Sequence, residues 1–480
     1  MIPLARKSGV LMHISSLYGD YSCGSFGKAA IEFIDFLCDC GFSLWQVLPF
    51  NMADDHNSPY KSYSSFSGNP YFIDIENLWK RGLITTEELE NAKQISPWLC
   101  EFERLSKERY LLLRKASSRV NDRSRKDISK FIKKNEYIAS FCKFMALKEA
   151  NDNKEWIEWT NNNYNKETLF AWQFIQYEFF TQWSKIKEYA NNKGIKIVGD
   201  IPIYVSHDSS DVWSSTSCFR LGKDGRPTHV AGVPPDYFCE DGQLWGNPLY
   251  NWKEMKKDGY SWWCDRIRHM SLMFDMVRID HFRGIESYWS IPAKAETAKE
   301  GKWVKGPGMS LINAIKKAAG NMEIIAEDLG DITPEVDKLV RDSGFPGMRV
   351  FQFGFLSDGE STHMPHNYTD NCICYTGTHD NNTLLGYLWE LDDSTRQRIL
   401  SYCGHKGDWQ SGCESIIRCV FSSHASTVIL PIQDILGFGA DTRMNTPGKA
   451  ENNWAYRVTK EQIDSIDRNY WKNLNTLYYR

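Results

Sequence analysis

The stretch FDMVRIDHFRG, residues 274–284, contains the most informative residues of the chain. Its apolar start predicts a β-strand, and this strand brings Arg278, Asp280 and His281 to its C-terminal end. Because a nearby cation favours the charged form of an aspartate, we expect Arg278 to keep Asp280 ionised. A positioned carboxylate at the end of a barrel strand is a candidate nucleophile.

Seven further apolar runs have the length and the β-branched or aromatic content of strands. Helix-like segments lie between them, and several end in glycine, as helix C-termini often do. Eight alternations of strand and helix predict an α/β fold, a (β/α)8 TIM barrel with helical and loop insertions and no separate C-terminal β-domain. The eight predicted strands are residues 9–14, 44–50, 195–203, 274–280, 322–328, 348–353, 372–380 and 427–434.

Two intervals between predicted strands are too long for simple connections. In a chain of 480 residues we therefore expect a single catalytic barrel, residues 1–480, that carries two insertions. Residues 68–168, between the second and third strands, have helical patterns and predict a helical subdomain. Residues 205–271, between the third and fourth strands, are rich in Gly, Pro and Trp and predict a substrate lid over the barrel mouth.

The composition excludes several classes of partner and compartment. A formal charge of −4 implies neither nucleic acid nor an acidic membrane as a partner. No apolar run approaches the ~20 residues of a membrane span, and the N-terminus lacks the pattern of a signal peptide. The 13 cysteines include no CxxC pair, so buried free thiols in a reducing cytosol are the simplest account, and we expect a cytoplasmic protein.

Two more acidic motifs follow the first, AEDLG at residues 326–330 and GTHDNN at residues 377–382. Asp280, Glu327 and Asp380 then stand at three successive predicted strand ends, which favours chemistry on a sugar bond. Breaking a glycosidic bond needs one carboxyl group at the anomeric carbon and a second that protonates the leaving oxygen. Asp280 fits the first role. Glu327 fits the second because burial at a strand end raises its pKa, and Asp380 fits hydrogen bonding to the sugar hydroxyls.

Several neighbours of these carboxylates need separate interpretation. His13, His281 and His379 are candidates to donate hydrogen bonds to the same sugar ring. Asp328 adjoins Glu327 and faces the other side of the strand, and the spacing leaves open which of the two points into the barrel mouth. A salt bridge or a helix cap is the simpler interpretation of any single acidic residue, whereas three strand ends together favour catalysis.

Motifs for other chemistries are missing from the sequence. It has no Walker loop, no GxGxxG after a strand and no GxSxG elbow. His363 and His366 lack acidic partners in a metal-ligand pattern. Acid, base and nucleophile are all side chains in the predicted site, so we predict no cofactor and no metal.

The chain resembles glycoside hydrolase family 77, the 4-alpha-glucanotransferases or amylomaltases, over almost its whole length. The motifs RIDHFRG, AEDLG and YTGTHDNNT carry this resemblance, as do residues 58–73, 199–213, 232–250 and 433–448. The resemblance implies that Asp280 is the covalent nucleophile, Glu327 the acid/base and Asp380 the transition-state stabiliser. The predicted substrate-binding residues flank these carboxylates or fall in segments that the family uses to hold glucan: Tyr60, Asp236, Gln243, Trp245, Arg278, His281, His379 and Asn445.

The resemblance further implies a retaining transferase that moves segments of α-1,4-glucan between maltooligosaccharides. The chain departs from the family pattern at Tyr18, where a Pro is usual, and at Tyr456, where a Trp is common; both bear on loop shape or glucan contact. Two alternatives remain at this point. One is a glucan hydrolase of the α-amylase type, which shares the three carboxylates, and the other is a non-catalytic glucan-binding protein. The sequence does not define an oligomeric state.

Overall fold

Twelve strands and eighteen α-helices make up the part of the chain that the computed structural model describes, residues 5–54, 56–235, 240–357, 359–449 and 451–480. The strands are β1 (Lys7–Leu11), β2 (Leu44–Gln46), β3 (Lys196–Ile201), β4 (His229–Val233), β5 (Gln243–Pro248), β6 (Met276–Ile279), β7 (Ser287–Pro292), β8 (Lys302–Lys305), β9 (Glu323–Ala326), β10 (Gly347–Val350), β11 (Cys372–Tyr375) and β12 (Thr427–Pro431). The helices are α1 (Lys28–Asp39), α2 (Ile75–Lys80), α3 (Thr86–Asn91), α4 (Phe102–Ser118), α5 (Asp122–Lys134), α6 (Glu136–Ala150), α7 (Lys166–Asn192), α8 (Ser210–Ser214), α9 (Trp252–Lys257), α10 (Ser261–Met273), α11 (Met309–Ala319), α12 (Pro334–Ser343), α13 (Leu384–Glu390), α14 (Asp393–Tyr402), α15 (Gly412–Ser422), α16 (Ile432–Leu436), α17 (Lys460–Asp464) and α18 (Arg468–Leu477).

Eight of the strands form one parallel sheet in the order β10-β11-β12-β1-β2-β3-β6-β9. The two outer strands approach each other, and the Ala326 amide donates a hydrogen bond to the Pro346 carbonyl oxygen at 3.0 Å. The sheet is therefore an almost closed barrel whose strands follow one another in chain order around the axis. All eight predicted strands are present, and the (β/α)8 prediction is confirmed.

The barrel helices pack their apolar faces on this sheet. The longest of them, α7, has 27 residues and buries Phe179 and Trp183 against the barrel side. Helix α12 begins with Pro334 at its first turn, as the sequence predicts, and ends at Gly344, which has a positive φ of 70°. After β12 the described residues form the helices α16 to α18 and a short 3-10 helix, Ala440–Thr442.

Both long intervals contain regular structure. Helices α2 to α6 lie between β2 and β3, and α4, α5 and α6 pack on α7. Between β3 and β6 the chain forms β4 and β5, which join β7 and β8 in a four-stranded antiparallel sheet of order β5-β4-β7-β8. Strands from before and after β6 thus meet in one small sheet, and the division of the chain into subdomains stays a prediction.

Among the described residues, none of the helices has the length and apolar character that a bilayer crossing requires.

Candidate active site

The three predicted carboxylates come from loops at the C-terminal ends of barrel strands. Asp280 directly follows β6, Glu327 directly follows β9, and Asp380 lies in the loop after β11. The sequence pattern suggested that the three strand ends are successive. In the structure they are not, because β10 lies between β9 and β11 in the chain. The parallel barrel nevertheless presents all three at the same rim.

Asp280 is held by the arginine two residues before it. The Arg278 guanidinium donates to Asp280 Oδ1 from Nη1 at 3.2 Å and from Nη2, and its Nε lies 3.3 Å from Asp200 Oδ2. The register of β3 with β6 places Asp200 opposite Arg278. Asp200 also accepts a hydrogen bond from the Tyr60 hydroxyl at 2.7 Å, so a chain of polar contacts runs from Tyr60 to Asp280.

Glu327 is held by backbone amides on both sides of its carboxyl group. The His281 amide donates to Oε2 at 2.5 Å and the Leu329 amide donates to Oε1 at 2.8 Å. His281 has a left-handed φ of 53°, and it follows Asp280 directly. Burial, and next the negative charge of Asp280, raise the pKa of Glu327 to about 8 despite these hydrogen bonds. Glu327 is therefore protonated at neutral pH, as a general acid must be.

The neighbouring carboxylate, Asp328, faces away from this group. Its Oδ1 accepts from the Met348 amide at 2.6 Å, and its Oδ2 forms an ion pair with Arg349 at 3.0 Å. Asp328 is buried in these contacts, so the choice that the sequence left open between the two acids favours Glu327.

Asp380 lies on the open side of the site, with nearly half of its side chain exposed (46%). Its Oδ2 is 3.3 Å from His379 Nε2, and its Oδ1 accepts from Asn445 Nδ2 at 2.6 Å. Burial by itself would raise the pKa of Asp380, but His379 and Asn445 outweigh burial and lower it below its usual range. Asp380 is therefore ionised at neutral pH.

An open cleft of about 1020 Å³ lies over these groups. Arg278, His281 and Glu327 are not among its lining residues; Arg278 contacts Asp280, and Glu327 contacts the His281 amide. The His281 ring lies edge-on to Trp245, with ring centroids 4.9 Å apart. Asp236 lies outside the described residues. The predicted site residues that line the cleft are Tyr60, Gln243, Trp245, Asp280, His379, Asp380 and Asn445.

The predicted sugar contact of His13 stays a prediction. His13 is buried against Phe50 and Phe72, and its Nδ1 accepts a hydrogen bond from the Leu48 amide at 3.2 Å. Burial, with His379 as a further cause, lowers the pKa of His13 to about 3. His13 is thus neutral at pH 7, and it follows the end of β1.

Sequence reasoning missed three residues of the site. Asp200 lies in β3 opposite Arg278, a pairing of strands that the sequence alone does not reveal. Arg443 donates to the Asp380 carbonyl oxygen, and Trp454 lines the cleft beside Tyr60. Neither of these two has a local sequence signal, because both reach the site from the loop after α16.

An almost closed parallel barrel with an aspartate, a protonated glutamate and an ionised aspartate at one rim, under a polar and aromatic cleft, defines a barrel enzyme that acts on glycosidic bonds. Comparison with known proteins identifies the family. The sequence model of glycoside hydrolase family 77, described as 4-alpha-glucanotransferase, matches residues 12–462. The chain belongs to this family and is an enzyme of the 4-alpha-glucanotransferase type.

Individual relatives resemble the chain from end to end. The 4-alpha-glucanotransferase of Streptococcus pneumoniae is 43% identical, with 99% of this chain and 97% of the relative aligned. That of Clostridium butyricum is 41% identical over 98% of this chain and 100% of the relative. Among solved structures, the amylomaltase of Streptococcus agalactiae in complex with acarbose is 38% identical, with a TM-score of 0.95 and 99% of each chain covered.

Proposed function

We propose that this enzyme moves segments of α-1,4-glucan from a donor maltooligosaccharide to the 4-hydroxyl of an acceptor glucan or glucose, with retention at the anomeric carbon. An Asp280 oxygen attacks C1 of the donor, the bond from C1 to the leaving oxygen breaks, and that oxygen takes the Glu327 proton. The ionised Glu327 then takes a proton from the acceptor 4-hydroxyl, whose oxygen displaces Asp280 from C1. Glu327 is thereby protonated again.

The single observation that carries this proposal is the pair of opposite environments around Glu327 and Asp380. The pKa of Glu327 is raised to about 8 mainly by burial, so the group holds a proton that it can give to the leaving oxygen. Asp380 is kept ionised by His379 and Asn445, and we propose that it binds the sugar hydroxyls next to the reacting carbon as positive charge develops there. Arg278 supports the nucleophile role of Asp280 by fixing one of its oxygens.

The proposed substrate contacts follow from the cleft. We propose that Trp245 and Tyr60 supply flat apolar surface for glucose rings, and that Gln243, His379 and Asn445 hydrogen-bond their hydroxyl groups. Asp236, Arg278 and His281 complete the predicted set. Acarbose, bound in the amylomaltase of Streptococcus agalactiae, is a ligand of a close structural relative and supports a maltooligosaccharide substrate here.

We further propose that residues 205–271 act as a lid that favours an acceptor sugar over water. In support, β5 from this segment carries Gln243 and Trp245 to the cleft wall. Excluding water during the lifetime of the glucosyl-enzyme would direct it to transfer.

The twelve cysteines of the described residues are all free, which supports a reducing, cytoplasmic location.

The product distribution from maltotriose tests the reaction. Transfer gives glucose and a ladder of longer maltooligosaccharides while the number of reducing ends stays constant. A rise in reducing ends, with no product longer than maltotriose, would instead identify a hydrolase of the α-amylase type. Binding of maltotriose without turnover would identify a glucan-binding protein.

The covalent step is tested with Glu327→Gln and α-maltotriosyl fluoride, because fluoride leaves without a proton. We expect this variant to lose turnover of maltotriose but to accumulate a glycosylated peptide containing Asp280, detected by mass spectrometry. Glu323→Gln is the matched control, since Glu323 lies at the opposite end of the same strand, β9, and pairs with Lys196. An unmodified Asp280 peptide in Glu327→Gln, with fluoride released, would exclude the covalent route.

A further inference from the structure

Trp454 has an unusual backbone for a large side chain. Its φ is 65°, in the left-handed region that residues other than glycine rarely adopt. The conformation is fixed locally, because the Trp454 amide donates to the Met444 carbonyl oxygen at 2.7 Å and the Thr446 amide donates to Asn453 Oδ1 at 2.8 Å. Such strain persists only where the surrounding structure determines it, and it occurs preferentially at functional sites.

The strained backbone directs the indole ring into the site. Trp454 is only 7% exposed and lines the cleft. Its ring centroid lies 5.9 Å from that of Tyr60 and 5.8 Å from that of His379. Tyr60 and His379 are themselves stacked, with centroids 5.1 Å apart and ring planes 17° apart. The three rings therefore form one packed aromatic cluster.

Each partner of Trp454 in this cluster leads to a different catalytic carboxylate. His379 Nε2 contacts Asp380 Oδ2 at 3.3 Å. The Tyr60 hydroxyl donates to Asp200, and Asp200 holds the Arg278 guanidinium that binds Asp280. The indole thus contacts the start of both polar chains, the one that orients the proposed stabiliser and the one that orients the proposed nucleophile.

We propose that Trp454 is a positioning residue of the transfer reaction, which fixes the Tyr60–His379 stack and through it the relative placement of Asp280 and Asp380. This inference rests on the proposed function. Loss of the indole would let both rings shift, and a misplacement of about 1 Å in the reacting groups reduces rates by about 100-fold. Ground-state binding depends on the whole cleft and changes less.

The test compares Trp454→Leu, Trp454→Phe and the wild type in maltotriose disproportionation, with folding followed by thermal denaturation. We expect Trp454→Leu to lower kcat by roughly 10- to 100-fold while KM changes by less than about threefold. Trp454→Phe keeps an aromatic ring and should restore most of kcat. Trp389→Leu is the control, because Trp389 is 70% exposed on α13, and its activity should equal that of the wild type.

A double-mutant cycle separates positioning from a general loss of structure. If Trp454 acts through His379, adding Trp454→Leu to His379→Asn should lower kcat by a smaller factor than Trp454→Leu does alone. Additive losses in this cycle, or a Trp454→Leu kcat within about twofold of the wild type, would overturn the inference. The proposed function would stand in either case if the wild type still produced the ladder of longer maltooligosaccharides.

Discussion

Glu327 and Asp380 are carboxyl groups of one site whose surroundings move their pKa values in opposite directions. For Glu327, burial and the Asp280 charge outweigh two backbone amide donors. For Asp380, the His379 and Asn445 side chains outweigh burial. The difference arises from the neighbours: Glu327 has the negative charge of Asp280 beside it, whereas Asp380 has the side chains of His379 and Asn445. Opposite shifts of this kind support the roles that we propose, acid for Glu327 and anion for Asp380.

The pH dependence of the first step should report the Glu327 proton. Because the proposed mechanism needs the protonated form of Glu327 and the pKa of this group is about 8, we expect kcat/KM for maltotriose to fall as the pH rises through about 8. The measurement is the initial rate of glucose release from pH 5 to pH 10. Release of fluoride from α-maltotriosyl fluoride needs no acid, so the decline of kcat/KM at alkaline pH should be absent with this donor. An identical decline with both donors would assign it to another group.

Asp200 is a buried carboxylate that orients two site residues without lining the cleft. We expect Asp200→Asn to lower kcat/KM about 10- to 100-fold, because Arg278 and Tyr60 lose their shared anionic acceptor. Loss of this charge-assisted contact should also reduce the free energy of unfolding by about 1–3 kcal/mol. Steady-state kinetics and urea denaturation measure the two effects. Asp393→Asn, at a 98% exposed position, should change neither.

At the scale of elements, the sequence predicts the barrel strands well and their ends less well. The run 44–50 was predicted as one strand, whereas β2 ends at Gln46. Val47, Leu48 and Phe50 are buried under the loops above the barrel, so their apolar character does not depend on strand pairing. An apolar run thus indicates that a segment is buried, whereas the end of a strand depends on where its pairing with the neighbouring strands stops.

The small sheet could not be predicted for a related reason. Strand β4 pairs with both β5 and β7, and β6 lies between the last two in the sequence. The register of β4 is set by contacts between segments that are distant in the sequence. The Gly- and Pro-rich sequence contains no periodic pattern that would indicate these contacts. The same holds within the site: the roles of Asp200 and Trp454 arise from tertiary contacts, whereas Asp280 and Glu327 are marked by the strands that precede them.

Gly199 in β3 is required by close packing between elements. A Cβ atom at this position would lie 2.2 Å from the Phe274 ring, which is itself buried. We therefore expect Gly199→Ala to lower the free energy of unfolding by about 1–3 kcal/mol through overpacking. Urea denaturation of the variant measures this effect. Gly359→Ala is the matched control, since its nearest neighbour would be 3.7 Å away, and equal stability of the two variants would contradict the packing argument.

At the scale of the whole molecule, the loop that follows β2 is joined to the second long insertion, residues 205–271. Asp211 at the start of α8 accepts a hydrogen bond from the Ser65 amide at 2.6 Å, and the Ser210 amide donates to the Tyr63 carbonyl oxygen at 2.8 Å. Residues 63–65 follow β2, and α8 follows β3. Asp211 is buried, so this joint places a carboxyl group in the interior.

The free energy of unfolding should depend on pH through the buried carboxyl group of Asp211. Burial raises the pKa of Asp211 to about 6 in the folded state, although the Ser65 amide and Arg266 oppose the shift. The folded state therefore binds the proton more tightly than the unfolded state, and stability rises as the pH falls from about 6 towards the unfolded pKa near 4. When the pH is lowered from 7 to 4, the free energy of unfolding of the wild type should increase by on the order of 2 kcal/mol relative to that of Asp211→Asn. Urea denaturation at both pH values measures this difference, and a constant difference would contradict the prediction.

The pairing of β1 with both β2 and β12 has a consequence for synthesis. Until β12 has been synthesised, β1 and β11 lack the strand that pairs with both of them in the folded enzyme. Such unpaired edges recruit other chains. We therefore expect the partly synthesised chain to be prone to aggregation and to need chaperones until residues 427–431 have left the ribosome. After that point its need for chaperones should fall sharply.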